Sequence, residues 1–308
     1  MLYRSIGDVP RKRHTLHRDG DGNRLAEELV GEEGFSGHSS LLYHRHSPSA
    51  LVCVEEVDDP RDDLAPNRTV VPVHLRTSTL APSTDPVLGR RLVAGNDDVR
   101  ISVSHAGGSS DLYRNASGDE LVYVHAGAGR LESSFGTLAV GQGDYVVVPA
   151  GVTHRWAVDA PLSLLVLEAN GHVRPPRRYL SAAGQFLEHA PYCERDLRTP
   201  DGPLVVDHDG EATVLVRNRA GLARHVYRHH PFDVVGWDGC LYPWALSIRD
   251  FEPIVGRLHQ PPPVHQTFEG PNFVVCSFVP RLFDFHPDAV KVPYHHANVD
   301  SDEVLFYA

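Results

Sequence analysis

Two stretches of this 308-residue chain set imidazole and carboxylate at spacings that suit a bound metal ion. Near the end, His296 and Asn298 stand two residues apart and Glu303 follows five residues later. Neutral imidazole with carboxylate, leaving coordination positions open, is the donor set that suits non-heme Fe(II) in oxygen-using enzymes. In a β-hairpin, residues two apart share a face, so His296 and Asn298 are expected to point the same way and Glu303 to return on the next strand. His295 alternates to the opposite face, where it supports the fold or the liganding groups rather than an ion. A mononuclear site normally takes three protein donors, and this stretch supplies two.

The same unit occurs earlier. Asp119-Glu120-Leu121-Val122-Tyr123-Val124 parallels Asp302-Glu303-Val304-Leu305-Phe306-Tyr307, and such repetition sets the frame in which single residues are read. The earlier copy runs on through Gly143, Pro149 and Gly151 to His154, 34 residues after Glu120. By that interval the later copy's histidine falls near position 337, past Ala308, so the third donor is expected to be absent from the chain. The earlier copy has the opposite gap, with Tyr113 and Asn115 standing where His296 and Asn298 stand in the later one. Only Glu120 and His154 remain as donors there. His154 therefore reads as a strand-end histidine that packs and hydrogen-bonds, and the first unit as structural.

Strands must position these residues. Short β-branched runs at 51–57, 69–75, 99–103, 121–124, 145–148 and 162–167 are separated by Gly, Pro, Asn and Asp, the pattern of a barrel or sandwich. One helical candidate is predicted at 24–30, with a glycine-punctuated loop at 31–37. Pro175-Pro176 marks a break after the first barrel, and nothing later has the length and period of a βαβ helix. The expected domains are 1–245, β-rich and containing a degenerate unit at about 100–168, and 246–308, the incomplete start of a C-terminal catalytic unit.

Composition narrows the function. With 41% hydrophobic residues the chain can bury a large core, and its length suggests about two domains. A net charge of −11 with only 29 Lys plus Arg argues against a nucleic-acid or anionic-membrane partner. Twenty histidines make metal chemistry plausible. Cys53, Cys193, Cys240 and Cys276 form no C-x-x-C pair and read as reduced thiols. Neither a signal-peptide core nor an apolar run of membrane-spanning length is visible, which makes the cytoplasm the expected compartment.

The H-x-N-x4-E pattern of His296, Asn298 and Glu303 resembles the first cupin motif, with asparagine in the second histidine slot and the closing glycine due at position 310. Gly143 to His154 matches the second cupin motif, G-x5-P-x-G-x2-H, at every defined position. The implied fold is all-β, a bicupin of double-stranded β-helix (jelly-roll) type, with a complete first unit and an incomplete second one. Longer segments carry a narrower resemblance: His230 to Gly239, Tyr242-Pro243-Trp244, Asp250 to Ile254 and Pro293 to Asn298, together with Arg11 to Thr15, Glu27-Glu28-Leu29, Gly34 to Gly37 and Ser39 to His44. These resemble the homogentisate 1,2-dioxygenase family across essentially the whole chain, up to a point before the end of the catalytic barrel.

That resemblance implies Fe(II)-dependent cleavage of homogentisate by O2 to maleylacetoacetate, in tyrosine and phenylalanine catabolism. It places two iron ligands on His296 and Glu303. The interval from histidine to glutamate is one residue longer here than in the family's animal enzymes, which sets Glu303 against Asp302; Glu303 is preferred because it is in register with Glu120. The family's third ligand, a histidine before Gly-Pro, has no counterpart up to Ala308. An upstream acid/base histidine falls by position on His259, with His265 as rival beyond a stiff proline run. Such a group is needed because a neutral phenol binds iron poorly, and histidine titrates in the right range to take its proton. Asn298 is expected to hydrogen-bond the ligand carboxylate or the substrate, while Phe232, Trp237, Tyr242 and Trp244 read as core or interface packing. Homo-oligomers, trimeric or hexameric, are implied. A related cupin dioxygenase for gentisate or another hydroquinone acid is the alternative. So is a non-catalytic fragment with weak iron affinity, no turnover and an open sheet edge prone to association.

Overall fold

The computed structural model describes residues 2–34, 36–60, 63–259, 264–291 and 295–308. Phe35, the proline run at 261–263 and the Pro293-Tyr294 pair, all used above, lie outside them. In chain order the strands are β1 (Arg4–Gly7), β2 (Ala26–Gly31), β3 (Ser39–His44), β4 (Leu51–Val57), β5 (Arg91–Gly95), β6 (Val99–Ala106), β7 (Tyr113–Asn115), β8 (Glu120–Ser133), β9 (Gly136–Gly141), β10 (Asp144–Val148), β11 (His154–Ala169), β12 (Leu197–Arg198), β13 (Ala212–Asn218), β14 (Gly221–Tyr227), β15 (Val234–Gly239), β16 (Trp244–Ser247), β17 (Gln266–Gly270) and β18 (Phe273–Cys276). Among the described residues the only helical turns are four short 3-10 turns. The fold is all-β, and among the described residues no helix is long and apolar enough to cross a membrane.

A four-stranded sheet runs β1-β15-β3-β2. The main sheet runs β12-β16-β10-β8-β11-β7-β13-β14-β4, with β6 also on β11, β5 on β6 and β9 on β8. The long strands β8 and β11 form its spine, paired from Glu120↔Glu168 at one end to His154↔Ser133 at the other. Register shifts between Val158 and Leu164 bend this ladder. At the bend, Gly127 adopts φ +92, and a Cβ there would lie 2.1 Å from the Pro161 carbonyl oxygen, so the close approach requires glycine. Folding the ladder back is what returns His154, at its far end, to the neighbourhood of Glu120. Gly151, also left-handed at φ +84, closes the turn that delivers His154 and donates its N–H to the Asn115 carbonyl.

The alternating apolar residues of these strands form the core. Val122, Val124, Val146, Leu131, Trp156 and Val166 are fully buried, each contributing roughly 1.5–3 kcal/mol in apolar burial. Phe232, Trp237, Tyr242 and Trp244 are also fully buried and serve packing, with the Trp237 indole N–H donated to the Phe135 carbonyl.

Two expected elements differ. The helix predicted at 24–30 is instead strand β2, paired with β3 through Glu28↔Leu42 and Leu29↔Leu41. Its alternating burial suits an edge strand, and cross-strand pairing overrides the helix propensity of its Ala, Glu and Leu residues. The strand predicted at 69–75 is absent. Pro72 lacks an N–H for a ladder, Val70 has φ +50, and Val70, Val71, Val73 and Leu75 are exposed.

A buried ionic cluster ties the small sheet to the segment before β15. His44, 3% exposed, places Nδ1 2.6 Å from Asp233 and Nε2 3.0 Å from Glu28, while Asp233 also accepts the His46 N–H. Burial opposes the imidazolium, but hydrogen bonds to Asp233 and Glu28 outweigh it and raise the His44 pKa to about 9. A raised folded-state value stabilises the fold fully below the ordinary histidine range, and this is lost as pH rises through about 9. A shift of that size is worth on the order of 3 kcal/mol. The urea midpoint of the protein is therefore expected to fall between about pH 6.5 and 9, and His44→Gln to flatten the decline. An unchanged slope in the variant would remove His44 as its cause.

Candidate metal centre

The first cupin unit brings its motif positions together around one carboxylate. Glu120, at the start of β8 and fully buried, accepts bonds from Tyr113 Oη at 3.2 Å and Asn115 Nδ2 at 3.0 Å. His154, at the start of β11, is equally buried, with Nδ1 3.1 Å from the Val152 carbonyl and its ring edge-on to Tyr113. What lies against Glu120 is Arg90. Its Nη1 and Nη2 reach the two Glu120 oxygens at 2.9 and 2.8 Å, and Nη1 also reaches Glu168 Oε1 at 3.2 Å. Burial alone would raise the Glu120 pKa, but Arg90 outweighs it and holds the carboxyl well below its usual range. Burial lowers the His154 pKa, keeping the ring neutral, with Glu120 opposing.

Arg90 is the residue that sequence reasoning missed. It lies 30 residues ahead of Glu120 in a loop before β5 and belongs to no motif. The available signal was charge: Glu120 and Glu168 pair directly across β8 and β11 inside a core, an arrangement that demands a cation.

A second cluster sits outside the barrel. Ligand atoms of Glu32, Asp119 and His172 all lie within 4.8 Å of one another, a set that could hold a cation. Each is already engaged: Asp119 accepts the Ala150 and Val173 N–H groups at 2.8 and 2.9 Å, His172 Nδ1 stands 3.3 Å from Asp119, and Arg174 pairs with Glu32. The bond to Asp119 is the main reason that the His172 pKa is raised, with burial opposing it.

The C-terminal stretch folds differently from expectation. No strand forms among the described residues 295–308, so the expected hairpin is replaced by an irregular segment. His296, Asn298 and Glu303 nonetheless converge. His296 Nε2 lies 3.4 Å from Glu303 Oε2, and Asn298 Nδ2 donates to the same oxygen at 2.9 Å. Asp302 points elsewhere and accepts from Asn96 Nδ2 at 3.1 Å. Three residues past Glu303, Phe306 packs onto the main core, edge-on to Tyr123 and His125 of β8. The side chains of His296 and Glu303 remain 54% and 45% exposed, and His295 is exposed.

His265 lies immediately before β17. Glu303 lies close enough to Cys276, the last residue of β18, to help burial raise that thiol's pKa. The carbonyl of His265 accepts the N–H of the next residue, Ser277. His265 is 5% exposed, its ring packs against Phe278 at 4.7 Å, and its Nδ1 has no hydrogen-bond partner. Burial holds its pKa below the ordinary value, with Arg281 adding to the effect. His259 is half-buried beside the same group, near enough to shift both His265 and Asp284.

Comparison with known proteins gives three findings. Residues 101–168 match a family model described as Cupin domain. The whole chain aligns with a Saccharolobus solfataricus protein named "Putative dioxygenase SSO1533", 39% identical over 310 residues and covering 80% of that protein. Weaker matches include the homogentisate 1,2-dioxygenases of Caenorhabditis elegans, 27% identical over 197 residues, and Emericella nidulans, 24% identical over 242 residues. Those alignments cover 61% and 71% of this chain but only 44% and 52% of the two enzymes, so the chain spans about half their length.

Proposed function

The chain belongs to the family of that Saccharolobus solfataricus protein, and from this premise we propose that the protein carrying it is an Fe(II)-dependent ring-cleaving dioxygenase for homogentisate or a closely related hydroquinone acid. The observation that carries the reading is the convergence of His296 and Glu303, 3.4 Å apart, with Asn298 orienting the carboxylate. Two donors on one ion at about 2.0–2.2 Å each stand roughly 3 Å apart, so the pair fits as part of a ligand set. The homogentisate dioxygenases among the relatives support the substrate class. Iron held there supplies the one-electron reactivity toward dioxygen that a closed-shell aromatic ring lacks.

The chain's own residues bind, orient and move a proton. The phenolic hydroxyl must lose its proton before the ring becomes electron-rich enough to react, and an imidazole near neutrality is suited to accept it. His259 takes this role by family position. His265 is the second reading, favoured by its neutral ring and its Nδ1, which has no hydrogen-bond partner. His259→Gln and His265→Gln compared by kcat and its pH profile identify the acceptor: only its loss removes the acidic limb. Asn298 acts on the ligand carboxylate, and losses of such outer partners typically cost 10–100-fold in metal affinity. Asn298→Ala is expected to weaken Fe(II) or Co(II) binding by about that factor; unchanged affinity would assign Asn298 to the substrate instead. The cytoplasm as compartment and a trimeric or hexameric assembly belong to the same proposal.

Oxygen consumption by Fe(II)-loaded full-length protein with homogentisate, gentisate and unsubstituted hydroquinone tests the reading. Uptake with homogentisate and formation of an open-chain dicarbonyl acid is expected. Uptake with gentisate alone moves the substrate within the class, and none with any of the three rejects the class.

A further inference from the structure

We propose that the seam between the small and main sheets holds a binding site for a small aromatic carboxylate, with Arg4 as the anion receptor and Tyr242 and Trp244 in its wall. A cavity of about 310 Å³ lies there. Val147 and Trp244, cross-strand partners of β10 and β16, line it together with Leu241 and Tyr242 from the turn between β15 and β16. These four side chains are almost wholly buried. The exposed hairpin 180–186 lines it as well, held by a bridge between Leu180 and Phe186 and by the Ser181 N–H donated to the Gln185 carbonyl. None of His259, His265, His296, Asn298 and Glu303 is among the lining residues, so the site is separate from the proposed iron centre and does not depend on it.

Size and lining select the ligand. The volume is at the lower end of the range for small-molecule pockets, about 300–1,000 Å³, whose walls are mostly apolar with a few polar groups. It suits one ring with a short side chain. Charge sets the polar end. The lining carboxylates are already engaged: Asp119 accepts the Ala150 and Val173 N–H groups, Glu32 pairs with Arg174, and Glu194 accepts the Phe186 N–H at 3.0 Å. Arg4 differs. β1 holds it opposite Gly239 of β15, it lines the cavity, and its Nε is buried with no hydrogen-bond partner. A buried donor without a partner costs free energy that an incoming acceptor recovers. The planar guanidinium also matches a carboxylate through two parallel bonds, which a neutral or cationic group cannot accept. Tyr242, Trp244 and Phe186 favour a ring over an alkyl chain, because aromatic pairs gain from edge and offset contact beyond the area they bury.

The test is calorimetric titration of the full chain, without added metal, with 3-phenylpropanoate as the probe. One equivalent is expected to bind saturably, and Arg4→Gln to weaken binding by about 10–100-fold, the worth of a charge-assisted bond. Two matched probes, the cation 3-phenylpropylamine and the alkyl acid hexanoate, should each bind about 10-fold or more weakly than the aromatic acid. Ala183→Phe, on the exposed hairpin, narrows the cavity while leaving Arg4 in place and should lose binding too; it carries the test if Arg4→Gln does not fold. The proposal is overturned by no saturable binding up to about 10 mM, by the amine or hexanoate binding as tightly as the aromatic acid, or by wild-type affinity in either folded variant.

Discussion

Glu303→Gln is expected to abolish Fe(II)-dependent oxygen uptake in the full-length protein, a loss beyond the 10–100-fold typical of an outer partner of a metal site. The amide keeps the shape of the side chain and the bond from Asn298, but it lacks the charge that a hard cation requires. Asp302→Asn is the matched control, one residue away and bonded to Asn96 instead of His296. Its iron content and oxygen uptake should match wild type. The comparison bears on the repeat as a whole. In the first unit Asp119 ties backbone amides while Glu120 faces the barrel interior, and in the second Asp302 is tied to a loop while Glu303 faces His296. Retained uptake in Glu303→Gln together with loss in Asp302→Asn would reverse the assignment.

Glu120→Ala is expected to destabilise the fold by about 3–5 kcal/mol, the range for removing one partner of a buried pair and leaving the other charge inside. Arg90 would keep only Glu168 of its two carboxylates, in a core where its side chain is 5% exposed. In a protein of this size that loss lowers the melting temperature by roughly 10 °C. The pH dependence has a definite sign. Arg90 depresses the Glu120 pKa in the folded state, so the stabilisation is present above the ordinary carboxylate range and is lost as pH falls through the folded value. Wild type should lose this contribution on acidification, and Glu120→Gln should not show it. A melting temperature in Glu120→Ala within about 2 °C of wild type would mean that the pair is not worth its burial.

Much of this was legible in the residues. The strand runs 51–57, 99–103, 121–124, 145–148 and 162–167 lie within β4, β6, β8, β10 and β11, because alternating β-branched residues between Gly and Pro carry the period of a half-buried sheet. The second cupin motif was legible for the same reason: Gly151 must be left-handed and His154 must open a strand. Less local features were not. The stretch 24–30 reads as helix by propensity, and only the presence of β3 alongside makes it β2. Arg90 has no motif around it, and its partners are 30 and 78 residues away. The convergence of His296, Asn298 and Glu303 was expected, but on a hairpin. The structure reaches it through an irregular segment held by Asn96 and by Phe306 packing on β8, contacts that no spacing rule contains.

The most direct test is oxygen-electrode measurement of full-length protein, reconstituted with Fe(II) under anaerobic conditions, on addition of homogentisate. One mole of O2 consumed per mole of ring-opened product, dependent on Fe(II) and lost in both His296→Ala and Glu303→Gln, is the expected result. Ring opening that survives both substitutions, or that proceeds equally without iron, would contradict it.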